Sequence, residues 1–450
     1  MTDLSAIVKA YDIRGVVPDQ LDADIARALG AAFARFADAP TIVTARDMRE
    51  SGVALGAAFA EGVTSQGVDV VESGLGSTDL LYYAAGSMGI PGAMFTASHN
   101  PAKYNGIKLC LAGARPVGQD SGLSQIRDDA QRYLADGIPT GEKSGTVTHQ
   151  DLLADYAAYM RKLVPDLVGI RPLKVVVDAG NGMGGHTVRP TFEGLPLEVT
   201  ELYFELDGSF PHHEANPIDP ENLRDLQKAV LEHGADLGLA FDGDADRCFV
   251  VDERGEIVSP STLTALIAAR ELLRQPGSTV IHNLITSRSV PEVVGELGGT
   301  AVRTRVGHSF IKAEMARTGA VFGGEHSGHF YFREFWNADS GMLAALHTLA
   351  ALGQQAGPLS ALLSSYERYV ASGEINSTVD DQAARIAAIK SGYGDKPQDE
   401  LDGLTVDVGD GAWFNVRASN TEPLLRLNVE ARDEATMAAL RDAVLAVIRG

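Results

Sequence analysis

The chain is poor in cysteine, in positive charge and in long apolar runs. Only two cysteines occur in 450 residues, Cys110 and Cys248, which excludes a disulfide framework and points to a reducing compartment, the cytoplasm. No apolar run is long enough to span a bilayer. The N-terminal residues lack the basic start and apolar stretch of a secretory signal. Lys and Arg number 38 against 60 Asp and Glu, a net charge of −22. Such a field repels nucleic acid and anionic membrane, so neither is an expected partner. It repels anionic small molecules too, so an anion site has to be a local cluster of Arg, Lys and backbone N–H groups.

What is present is an ordinary globular composition, 45% hydrophobic and 22% charged, in a chain long enough for about three or four domains. Short apolar runs alternate with helical patterns: strands over Thr41–Ala45, Val68–Val71 and Gly92–Thr96 enclose helices over Gly52–Gln66 and Asp79–Gly86. The alternation restarts at Leu173–Asp178 and again in the helix Leu263–Leu273, predicting three similar α/β domains with mixed sheets. After about Ser365 the texture changes. Residues Glu374–Asn415 read as polar and irregular, and a strand and a helix close the chain, predicting a smaller α+β domain. The boundaries drawn are 1–148, 149–251, 252–365 and 366–450, with the domains set around a central cleft. In open α/β sheets ligands bind where strands end, so chemistry belongs in the loops that follow strands.

Phe241-Asp-Gly-Asp-Ala-Asp-Arg247 is the most specific of those loops. Asp242, Asp244 and Asp246 leave an apolar strand at alternating positions and can converge on one hard cation, Mg²⁺ or Ca²⁺ rather than zinc. An EF-hand is excluded, because Arg247 stands where the sharp turn needs Gly and the flanks are strands. A solvated acidic turn is the bland alternative. Thr96-Ala-Ser-His-Asn-Pro101 follows a strand and taken alone is a turn, with Ser98 expected on an exposed loop. Gly324-Glu-His-Ser-Gly-His329 offers Glu325 and Ser327 to neighbouring sugar hydroxyls. Arg417-Ala-Ser-Asn-Thr421, with Arg426 beyond, offers an Arg fork and hydroxyl donors to a phosphate. For these last two, a plain polar loop is an equal reading. Lys9 and Arg14 place cations near the start, and Arg305-Val-Gly-His308 precedes a helix whose N-terminus could receive an anion.

In order and along the whole chain, five motifs resemble those of the α-D-phosphohexomutase family: Tyr11–Gly15, Thr96–Pro101, Asp242–Arg247, Gly324–His329 and Arg417–Pro423. The similarity is greatest to phosphomannomutases and phosphomannomutase/phosphoglucomutases. Phosphoglucosamine mutases usually carry Gln where His326 stands. Some bifunctional members carry Lys near Ile285, a departure that bears on the ratio of mannose to glucose activity.

The resemblance implies a reversible conversion of mannose 6-phosphate and mannose 1-phosphate through phosphorylated Ser98 and a hexose 1,6-bisphosphate, which also serves as activator. It implies one Mg²⁺ held by Ser98, Asp242, Asp244 and Asp246. Lys108, Arg14, Arg247, His308 and His329 then carry the chemistry, while Tyr11, Arg14, Gly307, Glu325, Ser327, Arg417, Ser419, Asn420, Thr421 and Arg426 bind the hexose phosphate. Phosphoglucomutase and phosphoglucosamine mutase are the neighbouring alternatives. A Mg²⁺-dependent sugar phosphatase and a non-catalytic sugar-phosphate binder are the alternatives of another class. Monomer and homodimer are both open.

Overall fold

Short apolar strands, separated by helices, become mixed sheets in a computed structural model that describes residues 3–419 and 423–450. These residues form two compact units, Met1–Val258 with Ser327–Ser360, and Ser259–His326 with Ala361–Gly450.

The first sheet of the first unit runs in the order Ile13–Val16, Tyr104–Leu111, Gly92–Phe95, Thr41–Arg46, Asp69–Leu75, Val147–His149. Thr41–Arg46 pairs in parallel with both of its neighbours, and Tyr104–Leu111 is antiparallel to Gly92–Phe95 and to Ile13–Val16. Gly92–Phe95 is buried at every residue, as a strand covered on both faces should be. Over this sheet the helices Ala23–Ala37 and Ser51–Thr64 approach so closely that a Cβ on Gly30 would stand 2.2 Å from the Phe59 carbonyl oxygen. Only glycine fits there.

The second sheet has the order Ile257–Val258, Cys248–Asp252, Leu237–Phe241, Leu173–Asp178, Leu197–Leu202. Leu237–Phe241 is parallel to Leu173–Asp178 and forms an antiparallel hairpin with Cys248–Asp252. That hairpin turns through the acidic loop. The unit is completed by the antiparallel pair Phe330–Phe332 and Ala338–Asp339 and by the helix Gly341–Gly353, buried along its whole length.

In the second unit, Thr279–Asn283 pairs in parallel with Thr300–Thr304 and with Phe322–Gly324. The end of the chain is an antiparallel sheet in the order Val370–Thr378, Leu424–Ala431, Ala412–Ala418, Leu404–Gly409, Gln398–Asp399, under the helices Gln382–Gly392 and Glu434–Arg449. Here the expectation of an irregular Glu374–Asn415 is corrected. Much of this segment is strand, and Val370–Thr378 carries a register shift between Ala371 and Glu374 that breaks its alternation. A polar, half-exposed strand with a bulge does not show period-two hydrophobicity. The three α/β blocks and the α+β end match the expected fold class. Among the described residues no helix is long and apolar enough to cross a membrane.

Candidate active site

The strand Gly92–Phe95 ends on Thr96-Ala-Ser98, where Ser98 takes a left-handed conformation, φ 50°, that residues with a Cβ seldom adopt. The Thr96 hydroxyl accepts from Ser98 N–H at 2.9 Å and helps hold that turn. The expected exposure of Ser98 is corrected: it is 1% exposed, because the acidic loop closes over it. Its hydroxyl donates to Asp242 Oδ2 at 2.7 Å and lies 3.1 Å from His99 Nδ1. A Cβ on Gly243 would stand 2.4 Å from the Ser98 carbonyl oxygen, so the glycine between the first two aspartates lets the two loops meet.

Asp242, Asp244 and Asp246 are buried, with one carboxylate oxygen from each lying within 4.8 Å of the others. Three adjacent carboxylates out of water need compensation. Lys108, from the neighbouring strand, donates to Asp244 at 2.7 Å and to Asp246 at 2.6 Å, and Arg247 Nε stands 3.5 Å from Asp242. Burial and the neighbouring Asp246 and Asp244 push the Asp242 carboxyl well above its usual range, and burial with Asp244 raises Asp246 to about 6. Burial pushes Asp244 up as well, yet Lys108 overrides it and holds Asp244 ionised far below the usual range. Asp244 Oδ1 and Asp246 Oδ1 are buried without a hydrogen-bond partner. Excess negative charge and unused oxygen acceptors are what a hard divalent cation satisfies, so the donor set fits Mg²⁺.

Other predicted residues gather on the same loops. Arg247 Nε donates to His329 Nε2 at 3.3 Å, and His329 Nδ1 lies 3.0 Å from the Ser327 hydroxyl. His329 Nε2 is also 3.6 Å from Asp246. Arg14 donates to the Asn100 side chain at 2.6 Å and pairs with Asp12, with Tyr11 in the turn before it. His99, not singled out in the sequence, is held neutral at about 3 by burial and by Arg247 and Arg14. Asp79 is another residue missed. It is buried, receives hydroxyls from Ser77, Tyr156 (2.9 Å) and Ser340 (2.6 Å), and is raised to about 7 by burial. Its neighbour Thr78 donates to Asp244 at 2.6 Å. Little local marks Asp79, because two of its three partners, Tyr156 and Ser340, come from far along the chain.

In the second unit Glu325 is buried, and its Oε1 accepts from Gly307 N–H at 3.1 Å and from Asn283 Nδ2 at 3.2 Å. Asn283 Nδ2 also lies 3.1 Å from His326 Nδ1, so one amide at the end of its strand orients two residues of the Gly324–His329 loop. Gly307, φ 131°, precedes the helix His308–Thr318. The His308 side chain, Asn420 and Thr421 lie outside what the structure describes. Arg417 and Arg426 face each other across two strands and both reach Glu374, the latter at 3.5 Å. Among the described residues their buried Nε atoms have no hydrogen-bond partner, and Ser419 follows on the same loop.

Residues 5–135, 154–255 and 260–369 match the phosphoglucomutase/phosphomannomutase α/β/α domains I, II and III, and residues 374–447 match the C-terminal domain of the same proteins. The chain belongs to this family. An α-D-phosphohexomutase is an intramolecular phosphotransferase, a class of isomerase. The chain is 42% identical over 440 residues to a phosphohexose mutase of Xanthomonas campestris, covering 96% of each protein. It is 39% identical over 447 residues to a phosphomannomutase of Salmonella montevideo, again covering 96% of each. The crystal structure of a phosphoglucomutase/phosphomannomutase family protein from Burkholderia thailandensis superimposes with a TM-score of 0.88 at 34% identity, covering 99% of this chain and 97% of that one. The phosphohexomutase motifs thus coincide with the loops that bring Ser98, the aspartates, Lys108, Arg247 and His329 together.

Proposed function

We propose that this phosphohexomutase is a phosphomannomutase, interconverting mannose 6-phosphate and mannose 1-phosphate through a phosphoryl group on Ser98, with glucose phosphates as a second substrate pair. The observation that carries this reading is the Ser98 hydroxyl 2.7 Å from Asp242, inside a buried carboxylate triad flanked by Lys108 and Arg247. A phosphoserine brings about −1.5 to −2 charge at neutral pH, which these two cations face. Asp242, Asp244, Asp246 and a phosphate oxygen on Ser98 would hold Mg²⁺, which when bound supplies Lewis-acid neutralisation of the phosphoryl group.

A sugar hydroxyl forms the new O–P bond as the Ser98 Oγ–P bond breaks; its proton ends on the freed Ser98 Oγ, with the protonated Lys108 as the relay that gives one proton to Ser98 and regains one from the sugar hydroxyl. Arg14, His308 and His329 manage charge and protons around the substrate. Glu325 and Ser327 bind ring hydroxyls beside Gly307 and Tyr11. Arg417, Ser419, Asn420, Thr421 and Arg426 hold the phosphate that is not being transferred. Transfer leaves a hexose 1,6-bisphosphate, which reorients and returns its other phosphate to Ser98. The same bisphosphate, added from solution, primes the dephosphorylated enzyme. Two buried, unbridged thiols support a cytoplasmic setting.

The test is an assay with mannose 1-phosphate and glucose 1-phosphate in parallel, primed with a hexose bisphosphate, beside intact-mass measurement. Wild-type protein should carry one phosphate. Ser98→Ala should carry none and lose several orders of magnitude of turnover while keeping its fold, since the hydroxyl's hydrogen bond contributes only about 1 kcal/mol. Full activity in Ser98→Ala refutes the phosphoserine route, and net phosphate release in place of isomerisation favours a phosphatase.

A further inference from the structure

Arg49 lies just after the strand Thr41–Arg46, 2% exposed, directly beneath the Ser98 loop. Its Nη2 donates to the carbonyl oxygens of Ser98 (2.8 Å) and Asn100 (2.6 Å), and its Nη1 to those of Pro101 (3.1 Å) and Tyr104 (3.0 Å). Its Nε donates to Asp47 Oδ2 at 3.2 Å. The five N–H groups of a guanidinium are thereby all used, four of them on one loop. Asp47 is itself fully buried and returns to Arg49 by accepting its backbone N–H at 2.9 Å.

On the loop's far side, Phe210 places its ring 5.1 Å from the guanidinium, and Gly208 packs against the Arg49 Cα. Phe210 also approaches Gly243 of the acidic loop. Arg49 is therefore wedged between the segment that carries Ser98 and a segment that touches the aspartate loop.

Four carbonyl oxygens gathered around one side chain repel one another unless hydrogen-bond donors compensate their dipoles, and a charged guanidinium does so most strongly. The same loop holds Ser98 at φ 50°, a conformation that relaxes unless its surroundings over-determine it. Resting on the reading of Ser98 as phosphoryl carrier, we infer that Arg49 is the positioning residue of the reaction: its guanidinium clamps the Ser98 backbone so that the hydroxyl points at Asp242 and the bound cation. With all five N–H groups taken, Arg49 has none left for substrate or phosphate. It acts through the geometry of Ser98 alone. Lysine is a poor substitute, because three rotatable donors on a point charge cannot span four carbonyls in one plane.

The experiment compares wild type, Arg49→Lys and Ser98→Ala in kcat, KM for mannose 1-phosphate, thermal unfolding, and the rate at which glucose 1,6-bisphosphate phosphorylates Ser98. For Arg49→Lys the expected result is a folded protein whose kcat falls about 100-fold with KM within about twofold, since misplacement of a reacting group by about an ångström costs that much. Phosphorylation of Ser98 should slow by a similar factor. A kcat within threefold of wild type in folded Arg49→Lys overturns the inference. So does a loss that matches the unfolded fraction at the assay temperature. If Arg49→Lys is insoluble, Asp47→Asn weakens the anchor on the guanidinium Nε that aims the clamp and leaves every group assigned to substrate or cation in place. It should lower kcat several-fold at constant KM, and an unchanged kcat there overturns the inference equally. Ser98→Ala separates the two ideas: an active Ser98→Ala defeats the phosphoserine reading, whereas an inactive Ser98→Ala beside a normal Arg49→Lys defeats only the role of Arg49.

Discussion

The Lys108 ammonium donates to Asp244 at 2.7 Å in a place where the carboxylate is fully buried and the lysine nearly so. Burial opposes charge on both, but Asp244 and Asp246 hold Lys108 protonated well above its usual range, and Lys108 holds Asp244 ionised. The pair is thus mutually dependent.

Breaking it should be costly. Lys108→Met leaves buried carboxylates without their main counter-charge, a loss of about 3–5 kcal/mol in chelator. Added Mg²⁺ should restore a large part of the stability, because it compensates the same oxygens, while turnover stays low. Thermal unfolding with chelator and then with excess Mg²⁺ measures both. Equal melting temperatures for mutant and wild type in chelator would show that Lys108 does not balance the triad.

Arg417→Ala should raise KM for hexose 1-phosphate and hexose 6-phosphate alike. The expected loss is about 2–4 kcal/mol of binding, as for one partner of a desolvated charge pair. The fold should survive, since Arg426 still lies 3.5 Å from Glu374. Steady-state kinetics with both substrates decide it. A rise for one substrate alone means that the loop is not a phosphate clamp shared by both orientations.

His213 provides the pH dependence. Its Nε2 faces Asp178 Oδ2 at 2.9 Å and its Nδ1 faces the Glu214 carbonyl oxygen at 2.9 Å, so both acceptors are satisfied together only when the ring is protonated. Burial works against that charge, but Asp178 and the carbonyl outweigh it and raise the pKa above the ordinary 6.5. A raised folded-state pKa adds stability that is complete below the unfolded value and fades as pH rises through the folded one. His213→Gln should therefore cost about 1.5–3 kcal/mol at pH 5.5, with the gap narrowing above pH 6.5. Unfolding curves at pH 5.5, 7 and 8.5 read the gap, and a constant difference across them removes the imidazolium.

Which residues gather at the candidate site was legible because they sit in contiguous motifs at strand ends. Three carboxylates at alternating positions leaving an apolar strand, or an Arg with hydroxyl donors on one loop, are local patterns. The periodicity of the strands and helices was local too, and it located the α/β blocks. Where hydrophobicity had no period, as in the bulged strand Val370–Thr378, the pattern was silent.

What only the tertiary structure decided is how those motifs are held. Ser98 reads as an exposed turn in sequence and is buried in the fold, because Gly243, 145 residues further on, lets the acidic loop close over it. Arg49, Asp79 and Asn283 carry no motif: Arg49 is recognised by four carbonyl oxygens it meets in space, Asp79 by three hydroxyls and Asn283 by Glu325 and His326. Side-chain chemistry is written one residue at a time, so reactive groups can be read from the order of the chain. The geometry that makes them reactive depends on desolvation and on hydrogen bonds between residues distant in sequence, and those exist only once the chain has folded.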